Sequence, residues 1–303
     1  MLVKVLGAAA GGAFPQWNCA CQQCQRLRSR TFAGQPRTQA QVAISEDGAS
    51  WTLLNASPDL RIQIEATPQL WPSGTSLQSP IQSVVITAAE ADTVAGLLSL
   101  REFQPLDIYA TRSVLRILRE DNSLFALLDR VPRQAVWKEI QPDVEFSVGQ
   151  LDFQPFTLPG GFPGFVSPNR QSELAADEAV LGLLVESQST GGRMAYLPGV
   201  AKVEEPWREW LDECDVLLFD GTFWTEDELC RVRGGGKPAS AMGHLPLSGP
   251  CGSLAALSGI KCARKIFFHI NNTNPILDES SPAYAEVRDA GWEVARDGME
   301  IVV

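Results

Sequence analysis

Histidine is scarce in this chain: His244 and His269 are the two among 303 residues, so any imidazole chemistry rests on them. Basic residues are also in short supply, 25 Lys and Arg against 36 Asp and Glu, for a formal net charge of −11. With no basic stripe, a general nucleic-acid binder is disfavoured, because displacing counterions from phosphates needs a Lys/Arg footprint. No apolar run approaches the length that spans a bilayer, and the N-terminal stretch MLVKVLGAAAGGAF lacks a basic head, a full apolar core and a cleavage site. The expectation is a cytoplasmic protein with no membrane partner. The seven cysteines are odd in number and, beyond Cys19, Cys21 and Cys24, scattered at Cys214, Cys230, Cys251 and Cys262. That pattern suits reduced thiols better than a disulfide framework.

What is present is ample apolar material. At 45% hydrophobic residues with 25 Gly and 20 Pro, the chain can build one large or two modest domains, and a soluble globular enzyme is the default. Apolar and β-branched runs bounded by turn formers predict strands at 1–6, 41–45, 51–55, 83–87, 107–110, 151–157, 179–187, 193–197, 215–220, 265–269 and 292–296. Apolar spacing and caps such as Ser281-Pro282 predict helices at about 92–104, 111–119, 203–213, 249–259 and 280–290. Early strands without intervening helices, followed by strand–helix alternation, describe an α/β chain with mixed sheets under outer helices. The segments 158–177 and 233–248 are expected to be long, functional loops.

Cys19-x-Cys21-x-x-Cys24 places three soft ligands on one tight turn. With one further donor, three thiolates make the closed tetrahedral site of structural zinc, and a staple is favoured over a catalytic metal; reduced thiols without metal are the alternative. The loop GAAAGGAF has no Gly-Lys-Ser/Thr ending, so it is read as a turn where backbone approaches something closely rather than as a phosphate cradle. His269 ends the run KIFF at a strand terminus, His244 sits between a Gly-rich loop and a helix, and Asp220 closes DVLLF before Gly-Thr-Phe-Trp. Glu90 and Asp92 follow the strand SVVIT at a helix start, where the macrodipole favours anions. As helix-start carboxylates they are unremarkable; their shared placement at strand ends with Asp220 keeps a metal reading open.

The stretches GAAAGGAFPQWNCACQQC, PRTQAQVAIS, LLNASPDLRIQI, GLLSLRE, YLPG, LLFDGT, MGHL and HINNTNPILDE run through the whole chain. In these the sequence resembles the pyrroloquinoline quinone (PQQ) biosynthesis protein B family, a branch of the metallo-β-lactamase superfamily. The resemblance implies a single domain over 1–303, an αββα sandwich of two mixed β-sheets flanked by helices, a zinc clamped by the cysteine turn and a second metal site between the sheets. It also implies an iron-dependent hydroxylase acting on a tyrosine-derived precursor cut from a small peptide.

The superfamily metal motif His-x-His-x-Asp-His reads here as Ala88, Glu90, Asp92 and Thr93, and the position of its bridging Asp is Gly199. The remaining candidate ligands are Glu90, Asp92, Asp220 and His269, an oxygen-rich set that suits Mn, Fe or Mg better than two zincs. Asp92, Asp220 and His244 are the expected catalytic groups, with Asp59 of NASPD as another proton carrier. His269 is claimed by two sites; its assignment to the thiols as fourth zinc ligand is preferred, with Asn272 as the weaker alternative. A metal-dependent oxygenase in PQQ synthesis is thus expected, against a dead carrier or scaffold that binds PQQ or an intermediate. A homodimer is compatible with either.

Overall fold

The computed structural model describes residues 1–73, 78–102 and 104–303. Its strands are β1 (Leu2–Gly7), β2 (Gln41–Ser45), β3 (Trp51–Leu54), β4 (Ile81–Val85), β5 (Leu106–Thr111), β6 (Ala135–Ile140), β7 (Phe146–Val148), β8 (Leu151–Thr157), β9 (Leu181–Ser187), β10 (Arg193–Leu197), β11 (Val216–Asp220), β12 (Arg264–Phe268), β13 (Trp292–Val294) and β14 (Met299–Val302). The helices are α1 (Gln22–Arg28), α2 (Leu60–Glu65), α3 (Ala91–Val94), α4 (Arg112–Arg119), α5 (Pro168–Gln171), α6 (Trp207–Trp210), α7 (Glu228–Arg233), α8 (Ser253–Ala256) and α9 (Pro282–Asp289). The strands form two seven-stranded mixed sheets, ordered β14-β1-β2-β3-β4-β5-β6 and β13-β12-β11-β10-β9-β8-β7. Among the described residues no helix is long and apolar enough to cross a membrane.

Contacts divide the chain into two compact units, each assembled from separate segments. The first holds residues 1–6, 41–192 and 298–303, the second 7–40 and 193–297. In the first, β3, β4, β5 and β6 run parallel, and Leu53, Val84, Ile108 and Ala110 of the first three are fully buried in one core. Helix α4 starts where expected because the Thr111 hydroxyl accepts from the Val114 N–H, a cap that satisfies an otherwise orphaned donor. The helix expected at 92–104 is shorter: α3 gives way to a 3₁₀ turn over Ala95–Leu100, and Phe103 lies outside the described residues.

The second unit is built on the parallel run β10-β11-β12-β13, in register Leu197 to Phe219 and Asp220 to Phe268. All five residues of β11 are buried, as in a strand covered on both faces. Phe267 stacks on Trp292 with centroids 4.1 Å apart, and Phe219 meets Trp292 edge-on at 6.1 Å. Helix α9 begins at Pro282 with Ser281 capping the Tyr284 N–H, matching the expected start. The helices expected at 203–213 and 249–259 contract to α6 and α8, each one turn, with α6 continuing as a 3₁₀ turn over Leu211–Glu213. This register leaves three backbone ends, after Leu197, Asp220 and Phe268, at the carboxyl edge of neighbouring parallel strands, where open sheets hold ligands.

Candidate functional site

Two clusters of chemistry-bearing side chains lie in the second unit. The first begins at Asp220, the last residue of β11, whose carboxylate is 0% exposed. Its Oδ1 accepts from the Thr222 N–H at 3.0 Å and the Thr222 hydroxyl at 2.5 Å; its Oδ2 accepts from the Val200 N–H at 2.9 Å and lies 2.7 Å from His244 Nδ1. The strand ends explain these partners: Val200 follows β10, and its carbonyl receives the Leu245 N–H, fixing the His244 loop against the sheet edge. Complete burial pushes the Asp220 carboxyl up, but the charge and hydrogen bond of His244, the charge of His269 and the Thr222 hydroxyl outweigh it and hold the group below the usual carboxylate range.

His269 follows β12 in the left-handed region at φ 58°, held there by Ile270, whose N–H bonds to the Ala8 carbonyl and whose carbonyl accepts from the Ala10 N–H. Such a conformation is uncommon for a residue with a side chain and belongs to sites that the surroundings over-determine. The turn aims Nδ1 at the Thr222 hydroxyl, 2.8 Å away, and leaves the rings of His244 and His269 5.4 Å apart at 24°. The loop GAAAGGAF thus makes the expected close backbone approach: Ala9 bridges both Gln39 and Ile270.

One donor atom each from Asp220, His244 and His269 lies within 4.8 Å of the others, the spacing of a metal site. The Thr222 oxygen sits among them, 2.5 Å from Asp220 Oδ1, 2.8 Å from His269 Nδ1 and 3.1 Å from His244 Nδ1. A protein oxygen thus links the carboxylate to the Nδ1 side of both rings. Asp220, expected as a ligand, is brought together with both histidines, and its carboxylate also receives four hydrogen bonds, through which it orients His244.

The second cluster is the cysteine turn. Cys21 stands at the N-cap position of α1, Cys24 is buried on the helix, and the Cys21 N–H donates to Cys19 Sγ at 3.4 Å. The Arg28 guanidinium donates to the carbonyls of Cys19 and Gln16 and closes the turn. The three Sγ atoms lie within 4.8 Å of one another, which accommodates the separation of about 3.8 Å that tetrahedral Zn–S bonds impose. Facing them is Asn272, not His269. Its Nδ2 lies 3.2, 3.7 and 3.4 Å from the sulfurs of Cys19, Cys21 and Cys24, while its buried Oδ1 has no hydrogen-bond partner. An orphaned buried carbonyl costs about 1–3 kcal/mol. Turning the amide by half a turn brings that oxygen to the sulfurs, where a cation would bind it. Burial pushes the Cys21 thiol up to about 12; in Cys19 it is outweighed by hydrogen bonds from Cys21, Cys24 and Asn272, which hold that thiol below its ordinary value.

The other expected residues belong to the first unit. Glu90 precedes α3 and Asp92 lies in its first turn, the helix-start placement that the macrodipole favours. Thr93, at the motif's last histidine position, spends its hydroxyl on the carbonyls of Ala88 and Glu90. Asp59 stands at the start of α2. The residue that sequence reasoning passed over is Thr222; its signal was the Asp-Gly-Thr end of β11, since a threonine two residues beyond an aspartate can close back on it.

The beta-lactamase superfamily domain matches residues 50–270. The coenzyme PQQ synthesis protein B of Azotobacter vinelandii is 44% identical over 304 residues, covering 99% of each chain, and that of Xanthomonas euvesicatoria pv. vesicatoria 41% identical over the whole of both. The crystal structure of Zn(2+)-bound PqqB from Methylobacterium extorquens superposes with a TM-score of 0.94 at 40% identity, again over all of both chains. Two seven-stranded mixed sheets, a thiol turn at the N-terminal loop and end-to-end likeness at this level leave one assignment: the chain has the metallo-β-lactamase fold and belongs to the coenzyme PQQ synthesis protein B family.

Proposed function

We propose that this chain serves PQQ synthesis as an iron-dependent hydroxylase of a tyrosine-derived precursor, working at His244 and His269, and that a structural zinc ties Cys19, Cys21 and Cys24 to Asn272. One observation carries the reading: a fully buried carboxylate orders both imidazoles of the chain at the carboxyl edge of parallel strands. Neutral imidazole nitrogen suits iron, which when bound supplies activation of oxygen. His269 would hold it. His244, with Nδ1–H donating to Asp220, carries its lone pair on Nε2 and can take or return a proton there. The relative from Methylobacterium extorquens is zinc-bound, and here the three thiols with the orphaned amide oxygen of Asn272 form the donor set that fits that ion.

The second reading, a carrier that binds PQQ or an intermediate, is favoured by Ala88, Glu90 and Thr93 at the superfamily's histidine positions. One experiment separates the two. The purified chain is loaded with Fe(II) and given the precursor in air, with metals counted before and after. Hydroxylated product that His269→Ala abolishes supports the enzyme; about one zinc per chain, no iron retained and no product supports the carrier.

A further inference from the structure

We infer that Thr222 is the positioning residue of this site: its single hydroxyl links the Asp220 carboxylate to both histidines and sets which nitrogen of each ring carries the proton. Counting donors and acceptors locates the Thr222 proton. The oxygen has four neighbours within hydrogen-bond reach: Asp220 Oδ1 at 2.5 Å, His269 Nδ1 at 2.8 Å, the His269 carbonyl at 2.9 Å and His244 Nδ1 at 3.1 Å. It has one proton to give. Were that proton given to His269 Nδ1 or to the carbonyl, two oxygen lone pairs would face each other across 2.5 Å at Asp220, the shortest contact of the set. The proton therefore goes to the carboxylate, a charge-assisted bond of ordinary length for O–H···O⁻.

The donors on the two rings follow from that bond. With its proton spent, Thr222 Oγ1 offers lone pairs, so His269 Nδ1 at 2.8 Å must be the donor. His244 Nδ1 faces the other carboxylate oxygen at 2.7 Å and the same hydroxyl at 3.1 Å, both acceptors, and is a donor too. In its neutral form each imidazole therefore carries hydrogen on Nδ1 and its lone pair on Nε2. Asp220 reaches His244 directly, but its nearest approach to His269 Nδ1 is 4.0 Å, beyond hydrogen-bond length, so Thr222 transmits the carboxylate's influence to that ring. The backbone supports the arrangement: Thr222 N–H donates to Asp220 Oδ1, and the Thr222 carbonyl accepts from the Asn271 N–H just past His269.

The inference rests on the proposed function only in its consequence for turnover; the tautomers themselves are read independently of it. Because the chain has two histidines, selective ¹⁵N-histidine labelling of the full-length protein, purified without added iron, gives two imidazole spin systems whose long-range ¹H–¹⁵N couplings report the protonated nitrogen. At a pH where both rings are neutral, both are expected to show hydrogen on Nδ1. Thr222→Ser should leave the pattern unchanged. Thr222→Val should remove the Nδ1–H signature of His269 while His244, held by Asp220, keeps its own. In the hydroxylation assay the Val variant should lose about 10- to 100-fold in turnover and the Ser variant should regain it. Wild-type protein with hydrogen on His269 Nε2, or a folded Val variant with His269 unchanged, overturns the inference. If the Val variant does not fold, the wild-type and Ser spectra decide it. Absence of hydroxylation with the tautomers as expected overturns the proposed reaction and leaves the role of Thr222 standing.

Discussion

Gly221 lies between the two residues that build the histidine cluster, and the space around it shows why a side chain is missing. A Cβ there would come within 3.0 Å of both Phe267 Cβ and the Phe268 carbonyl oxygen, and the backbone cannot yield because Gly221 N–H already bonds that carbonyl. Gly221→Ala should therefore cost about 1–3 kcal/mol by forcing β11 and β12 apart. Gly199 is the opposite case: a Cβ would meet His244 Cε1 at 3.9 Å, ordinary contact, so Gly199→Ala should melt within about 0.5 kcal/mol of wild type. Denaturant unfolding of the pair checks the contrast, and a Gly221→Ala protein as stable as Gly199→Ala would contradict it. Both histidines were legible from sequence because they are the chain's total and one ends an apolar run. The hydrogen bonding of Asp220 was not, since it depends on Val200 and His244, which lie 20 and 24 residues away.

At the scale of elements, helix α7 opens with a carboxylate buried to 5% exposure. Glu228 accepts from the Trp224 N–H at 2.6 Å and from the Thr273 hydroxyl, so the helix start is tied to the loop that presents Asn272. Burial pushes this carboxyl up to about 7 from an ordinary 4.5, against those hydrogen bonds. The folded protein thus holds a proton that the unfolded chain releases. Its stabilising effect is complete below the unfolded value near 4.5 and is lost as pH rises through about 7. Glu228→Gln stays neutral throughout, so between pH 5 and 8 wild type should lose about 1–3 kcal/mol relative to the variant in urea unfolding. Parallel pH profiles for the two would refute the burial argument.

Which elements could be read in advance follows from where they sit. The eleven expected strands are all present, because interior strands carry continuous apolar runs. The three unforeseen, β6, β7 and β14, are edge strands of the two sheets. Residues such as Val136, 41% exposed, and Val302, 76% exposed, show that these edges bury one face weakly, so polar residues interrupt the pattern that marks a strand. The short helices were equally hidden: α1 holds one buried residue, Cys24, and its sequence reads as a metal turn before it reads as a helix.

For the molecule as a whole, the thiol turn joins parts of the chain that are far apart in sequence. Cys24 and Asn272 are separated by 248 residues, and their segments meet through the Asn272 amide on sulfur, the Gln23 side chain on the Thr273 carbonyl and the Arg26 guanidinium on the Asp278 carboxylate. A cation held by both segments closes a loop of that length, and closure of long loops in the unfolded chain is worth roughly 3–5 kcal/mol. Removing bound zinc with a chelator should then lower the melting temperature by about 6–15 °C. Hydrogen exchange should localise the loss to residues 7–40 and 264–297 of the second unit, while β3, β4 and β5 in the first unit's core keep their protection. Cys24→Ser should lose both the zinc and the chelator response. A chain stripped of zinc that melts where the loaded chain does would show that the thiols carry no staple, and the fourth-ligand role of Asn272 would fall with it.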